Sequence, residues 1–201
     1  MILFGSTQAL EIPNEPGIYG FFPLLASRQR LGILGKPPYS DAVLLNAKKG
    51  LERRVKRIQE IFTSREMTGV VKRTGKGRDL AESYSVNLTN YNIDDIVGVI
   101  ESVDHKSLPG LVDVLERASL MAGPIYSGMT RSQTLLQRYS QHKADYNNSK
   151  RRDVFAARLI QSGLRWDDLI YGCVPMSLSN ADILVAERII HMLLKAPLSN
   201  S

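Results

Sequence analysis

The chain of 201 residues has an ordinary apolar fraction of 43%, enough to bury a core as one domain with a large insertion or as two small domains, and a net charge of +6. Its one cysteine, Cys173, excludes an internal disulfide and a cysteine-rich metal site, and is expected to be a small buried apolar residue. The N-terminus lacks the basic flank of a signal peptide and no apolar run reaches transmembrane length, so a soluble, cytoplasmic protein with no membrane partner is expected.

In chain order, Pro13, Asn14, Pro16 and Gly17 break regular structure before a β-prone run, and a strand is expected from Gly17 to about Phe22. Residues 26–38 read as a loop with a short strand, stopped by Pro37-Pro38. A helix then begins at Ser40, a good N-cap. Leu44, Leu51, Val55, Ile58 and Phe62 keep to one face of it, and Lys48, Lys49, Arg53, Lys56 and Arg57 take the other. Two strands follow, Gly69–Lys72 and Ser83–Leu88, joined by a basic glycine-rich loop carrying Arg73, Lys76 and Arg78.

Charge is unevenly spread over this part of the chain. Residues 48–78 hold eleven Lys or Arg against three acids, a local +8, while residues 79–120 hold two basic against eight acidic. The first block suits a polyanion, most simply nucleic acid, with the long helix and the hairpin tip (including Lys72) touching phosphates. Residues 92–104 and 107–121 read as two helices whose acids (Asp94, Asp95, Glu101, Asp104, Asp113, Glu116) form a solvated face or a protein contact. His105, between them, is expected at the surface.

The stretch 124–142, PIYSGMTRSQTLLQRYSQH, reads as a short strand, a glycine turn and a helix on which Arg138 and His142, four apart, project together. Lys150, Arg151 and Arg152 are further candidates for phosphate contact. A helix from Val154 to Ser162 ends at Gly163. Trp166 is expected to pack in the core, and Leu169–Val174 forms a third strand. An apolar helix, ADILVAERIIHMLL, then carries Glu187 before the closing APLSN.

Gly17-Ile18-Tyr19, then Tyr126-Ser127-Gly128 with Leu135, Arg138 and His142, then Glu187 and Asn200, resemble in order the motifs of the GIY-YIG nuclease superfamily. The resemblance implies an α+β fold, a small mainly antiparallel three-stranded sheet flanked by helices. Residues 11–25 and 122–201 would form the nuclease core, and residues 26–121 an inserted basic helix, β-hairpin and helix subdomain that contacts DNA. The chain departs from the family in spacing, since the two half-motifs lie about a hundred residues apart rather than about ten.

Three arrangements answer that departure. Tyr19 and Tyr126 sit on paired strands with the insertion at the hairpin tip, or Leu111-Val112 replaces the first half-motif, or Gly32–Lys36 is a degenerate second one. The first is favoured, because Leu111, Val114, Leu115 and Ala118 have helical rather than strand spacing, and loop-closure entropy grows slowly with length.

The resemblance also implies the chemistry. Tyr19 would accept the proton of a water assisted by His142, Tyr126 would position phosphate or water, and Arg138 would bind the scissile phosphate. Glu187 would hold one Mg²⁺ (or Mn²⁺) per active site, with no small-molecule cofactor, and Asn200 would close the site. The expected activity is a metal-dependent endonuclease on double-stranded DNA, of restriction or phage and mobile-element type, working as a homodimer at least on DNA. The alternative is a non-catalytic DNA-binding protein on a decayed scaffold.

Overall fold

A computed structural model describes residues 1–5, 8–63, 65–72, 81–88, 93–148, 153–176, 185, 188–189 and 196–199. The strand expected at Gly17 is β2 (Gly17–Pro23), an almost continuous buried run that needs partners on both sides. It finds them in β5 (Tyr126–Thr130) and β6 (Leu169–Pro175), both antiparallel to it. A further strand, β1 (Ile2–Phe4), adds to β6, giving the order β1-β6-β2-β5. Among the described residues the sheet thus has four strands rather than the expected three. Three residues are too few to show a period of two, which is why β1 has no signature in the sequence.

β5 lies at the other end of this order, and its outer side is met by the chain's last described residues. The Leu198 N–H donates to the Ile125 carbonyl at 2.7 Å, and the Ser127 N–H donates to Ser199 Oγ at 2.8 Å. Arg158, on α6 (Val154–Gln161), holds the carbonyls of Leu198 and Ser199 at 3.2 and 3.1 Å. These bonds take up the outward backbone groups at Ile125 and Ser127, where another strand would otherwise pair.

Between β2 and β5 the chain makes its helical excursion. α1 (Arg28–Leu31) stands where a loop and short strand were expected; Ser27 caps it, and Gly32, at φ 74°, ends it in the left-handed conformation that glycine takes without strain. Four residues carry no periodicity to read. Arg28 fastens this turn to Asp113 and Glu116, so two of the acids expected on a solvated face or in a protein contact are ion-paired within the chain. α2 (Asp41–Thr63) follows its Ser40 cap and spans the whole amphipathic stretch. β3 (Arg65–Lys72) and β4 (Ala81–Leu88) pair antiparallel, and α3 (Ile93–Ser102) and α4 (Leu108–Arg117) complete the excursion.

Two apolar clusters result, and α2 belongs to both. Leu44, Ala47 and Leu51 pack with Leu31, Ile100 and Val112. Ile58 and Ile61, two turns further on, pack with the sheet cluster of Tyr19, Phe21, Ile125, Leu159 and Trp166. Between the two apolar patches α2 presents Arg54, which bonds Asp168 at 2.8 Å and the Leu24 carbonyl at 2.7 Å; Arg30 reaches the same carboxylate at 3.3 Å. The excursion is therefore fastened to the sheet by a nearly buried ion pair and by a shared helix. Trp166 is buried, as expected, and donates to the Tyr139 hydroxyl at 3.1 Å.

Candidate active site

The site is built around Tyr19. In β2 it lies opposite Gly128 of β5 and Cys173 of β6. Its ring crosses the face of Gly128, where a Cβ would stand only 2.6 Å from the phenol oxygen, so only glycine leaves room for that ring. Gly128 is thus a mid-strand residue and not the turn that the sequence suggests. Cys173 is buried beside it, and burial pushes its thiol up to about 11, which keeps it a neutral apolar residue at neutral pH.

α5 (Leu135–Asn147) brings the second group of side chains. Thr134 and Gln137 cap its N-terminus reciprocally, at 3.2 and 3.0 Å, which sets where the helix begins. Leu135 and Tyr139 anchor one face in the sheet cluster. Arg138 and His142 then fall on the side that meets Tyr19. Arg138 Nε donates to the Tyr19 oxygen at 3.2 Å, and His142 Nε2 lies 2.9 Å from the same oxygen. Arg138 also reaches Gln141 Oε1 at 2.7 Å. Tyr126 stands at the edge of the group, half-buried, its ring centroid 6.1 Å from that of Tyr19 and close enough for its hydroxyl to act on both Tyr19 and Arg138.

His142 is fully buried, and its other nitrogen, Nδ1, lies 2.7 Å from Asp153 Oδ2. Asp153 is the N-cap of α6, and its second oxygen, Oδ1, accepts the Ala156 N–H at 2.7 Å. Burial alone would raise this carboxyl, but the bonds from His142 and Ala156 outweigh it and hold Asp153 below the usual carboxylate range. It is therefore an anion at neutral pH. A carboxylate only accepts, so Nδ1 carries the proton and donates, leaving the Nε2 lone pair for the Tyr19 hydroxyl. The Tyr19 oxygen in turn accepts from Arg138.

Burial, and next to it the neighbouring Tyr126, push the Tyr19 phenol well above its ordinary value, and Arg138 offsets this only in part. Of the two ways to make a tyrosine a base, a lowered pKa or a proton-accepting neighbour, only the neighbour is present. Arg138 loses something to burial as well, yet the oxygens of Tyr19 and Tyr126 more than restore its preference for the charged form.

Of the residues singled out from the sequence, Tyr19, Tyr126, Arg138 and His142 come together. Glu187 and Asn200 lie outside the described residues; so do Arg73, Lys76, Arg78, Lys150, Arg151 and Arg152. Lys72 ends β3. On α2, Lys48 is spent on the carbonyls of Glu101 and Val103, at 2.6 and 2.8 Å, where it caps the C-terminal end of α3 in place of facing a phosphate. Arg57 binds the Gly163 carbonyl at 2.7 Å, and Arg53 bonds back to the Lys49 carbonyl. Lys49, Arg53, Lys56 and Arg57 are exposed. Asp153 was not singled out, although an Asp directly before an apolar helix reads as an N-cap; its histidine partner is not a local feature. His105, at the surface as expected, pairs with Asp41 and Asp104.

Among the described residues no group of three or more His, Cys, Asp or Glu could hold a metal ion, and no helix is long and apolar enough to cross a membrane. Compared with protein-family models, curated proteins and solved structures, the chain matches none.

Proposed function

We propose that this protein is an endonuclease of the GIY-YIG type, hydrolysing phosphodiester bonds of double-stranded DNA. The observation that carries the reading is the meeting of Tyr19, Arg138 and His142 on one phenol oxygen, drawn from positions 119 and 123 residues apart. Hydrolysis of a phosphodiester needs a water that loses a proton and a fixed cation facing the charge that grows on the phosphoryl oxygens. The buried Tyr19–His142 pair is a proton acceptor in two steps. The Arg138 guanidinium, half-buried and always charged, is the cation. In this reading the water oxygen bonds to phosphorus as its proton passes to the Tyr19 oxygen and the Tyr19 proton passes to His142 Nε2. The phosphorus–oxygen bond to the leaving nucleoside breaks, and the departing oxygen takes a proton from solvent.

Mg²⁺ or Mn²⁺ enters this proposal through Glu187, which lies outside the described residues. The described side chains do not make a metal site by themselves, since both oxygens of Asp153 are engaged. No step above runs through a metal ion. The exposed Lys49, Arg53, Lys56 and Arg57 on α2 supply a cationic face for the DNA backbone. One catalytic corner per chain cuts one strand at a time, so double-strand cleavage calls for two copies on the DNA or for sequential nicking, and the homodimer is the arrangement proposed.

The test is incubation with supercoiled plasmid and Mg²⁺, beside EDTA and Glu187→Ala controls. The expected result is discrete fragments lost in both controls. Salt-sensitive binding without any cleavage would overturn the reading in favour of a DNA-binding protein without catalysis.

A further inference from the structure

The bond from His142 to Asp153 has no counterpart among the motif residues, and its geometry is unusually constrained. One carboxylate oxygen is committed to the Ala156 N–H at 2.7 Å, so the cap of α6 fixes the plane of the carboxylate and aims the other oxygen at His142 Nδ1, also at 2.7 Å. The imidazole has no freedom to look elsewhere. It has no exposure to solvent and is packed edge-to-face against Phe21, Tyr126 and Phe155, with centroids 5.8, 5.5 and 5.3 Å away. Among the described residues each of its nitrogens finds one polar partner, Tyr19 on one side and Asp153 on the other.

We propose that Asp153 is a positioning residue that holds His142 as its Nδ1–H tautomer, so that the Nε2 lone pair faces the Tyr19 hydroxyl and the phenol can hand its proton inward. The inference rests on the nuclease reading for its purpose, and on the bond geometry together with the ionised state of the carboxylate for the tautomer. Two consequences of the carboxylate combine. Without it either nitrogen could carry the proton, and the Nε2–H form would point a donor at the oxygen that must give a proton away. When His142 does take the Tyr19 proton, an imidazolium forms inside an aromatic cage, and an unpaired charge buried there is strongly disfavoured. Asp153 supplies its counter-charge. Protons balance along the line: Tyr19 receives one from water as it gives one to His142, and Asp153 keeps its negative charge throughout.

Asp153→Asn isolates this role from the cap. Asn caps a helix about as well as Asp, its carbonyl oxygen accepting from Ala156, and this turns the amide nitrogen, a donor, toward His142 Nδ1. The imidazole must then accept at Nδ1 and carry its proton on Nε2. Two-bond ¹H–¹⁵N correlation spectra of the histidine rings read this directly. The expected result for neutral His142 is Nδ1–H in the wild-type protein and Nε2–H in Asp153→Asn, with the melting temperature little changed. Plasmid cleavage is expected to fall about 10²–10⁴-fold in kcat with KM unchanged, the range lost when a catalytic proton acceptor is misplaced or held in the wrong tautomer.

An Nε2–H tautomer in the wild-type protein would overturn the inference, as would a flipped tautomer in a variant that cleaves at the wild-type rate. Absence of cleavage by the wild-type protein would instead overturn the nuclease reading, together with the purpose given to this bond, while the spectra still report the tautomer. The two failures are therefore distinguishable.

Discussion

The sheet with its flanking helices and the helical excursion between β2 and β5 use the same residue types for different work. In the excursion, charged side chains are spent on the fold. Lys48 caps the carbonyl end of α3, and Arg28 ties α1 to Asp113 and Glu116. At the sheet, Arg138, His142 and Asp153 bond to one another or to Tyr19, along a line that ends at the half-buried guanidinium. Charge placed on a helix end stabilises a fold, whereas charge gathered around a buried hydroxyl is the arrangement that the proposed proton transfer requires. The two kinds of site look alike in a list of Lys, Arg, Asp and His positions, and the difference lies in whether the polar groups fasten one element to another or are linked in series to one buried hydroxyl.

Mutations at matched positions can break or sharpen that contrast. The largest effect is expected at the joint: Asp168→Ala removes the partner of Arg54, whose side chain is only 10% exposed, and leaves a nearly buried cation. It should cost about 3–5 kcal/mol in denaturant unfolding, the range for breaking a buried pair from one side. Next comes Gly128→Ala, which puts a methyl where the Tyr19 phenol lies. On the proposed mechanism, shifting that phenol by about an ångström is expected to lower cleavage about 10²-fold. The matching change in the excursion, Gly98→Ala in the middle of α3, meets nothing within 4 Å and should instead stabilise the protein by about 0.5–1 kcal/mol, read by thermal melting. The smallest effects belong to the exposed lysines. Lys49→Ala and Lys56→Ala should each reduce the slope of log binding constant against log salt by about 1, if each meets one phosphate, with cleavage of bound DNA unchanged.

Part of this organisation is legible in the sequence, for reasons that differ by element. α2 is readable because a cap, a cationic face and an apolar stripe agree over more than five turns. Arg138 and His142 are readable as neighbours because helix geometry alone makes them so. The pairing of β2 with β5 required choosing among three arrangements, and helical spacing at Leu111 and Val114 pointed to the one observed, with those residues in α4. What was not legible is short or non-local. β1 and α1 are too brief to carry a period. Arg54 carries the same charge as its exposed neighbours and differs from them only in facing Asp168. Asp153 announces itself as a cap, but its histidine lies on another helix. The pKa of Tyr19 could not be read either, since it depends on the depth at which the ring is packed.

The most direct test of the central claim, that Tyr19 acts through its hydroxyl within one hydrolytic corner, is single-turnover plasmid cleavage by Tyr19→Phe. This variant keeps the ring that crosses Gly128 and removes only the oxygen shared by Arg138 and His142. The account predicts unchanged DNA binding and a loss of about 10²–10⁴ in the cleavage rate. Cleavage at the wild-type rate would contradict it and place the chemistry elsewhere in the molecule.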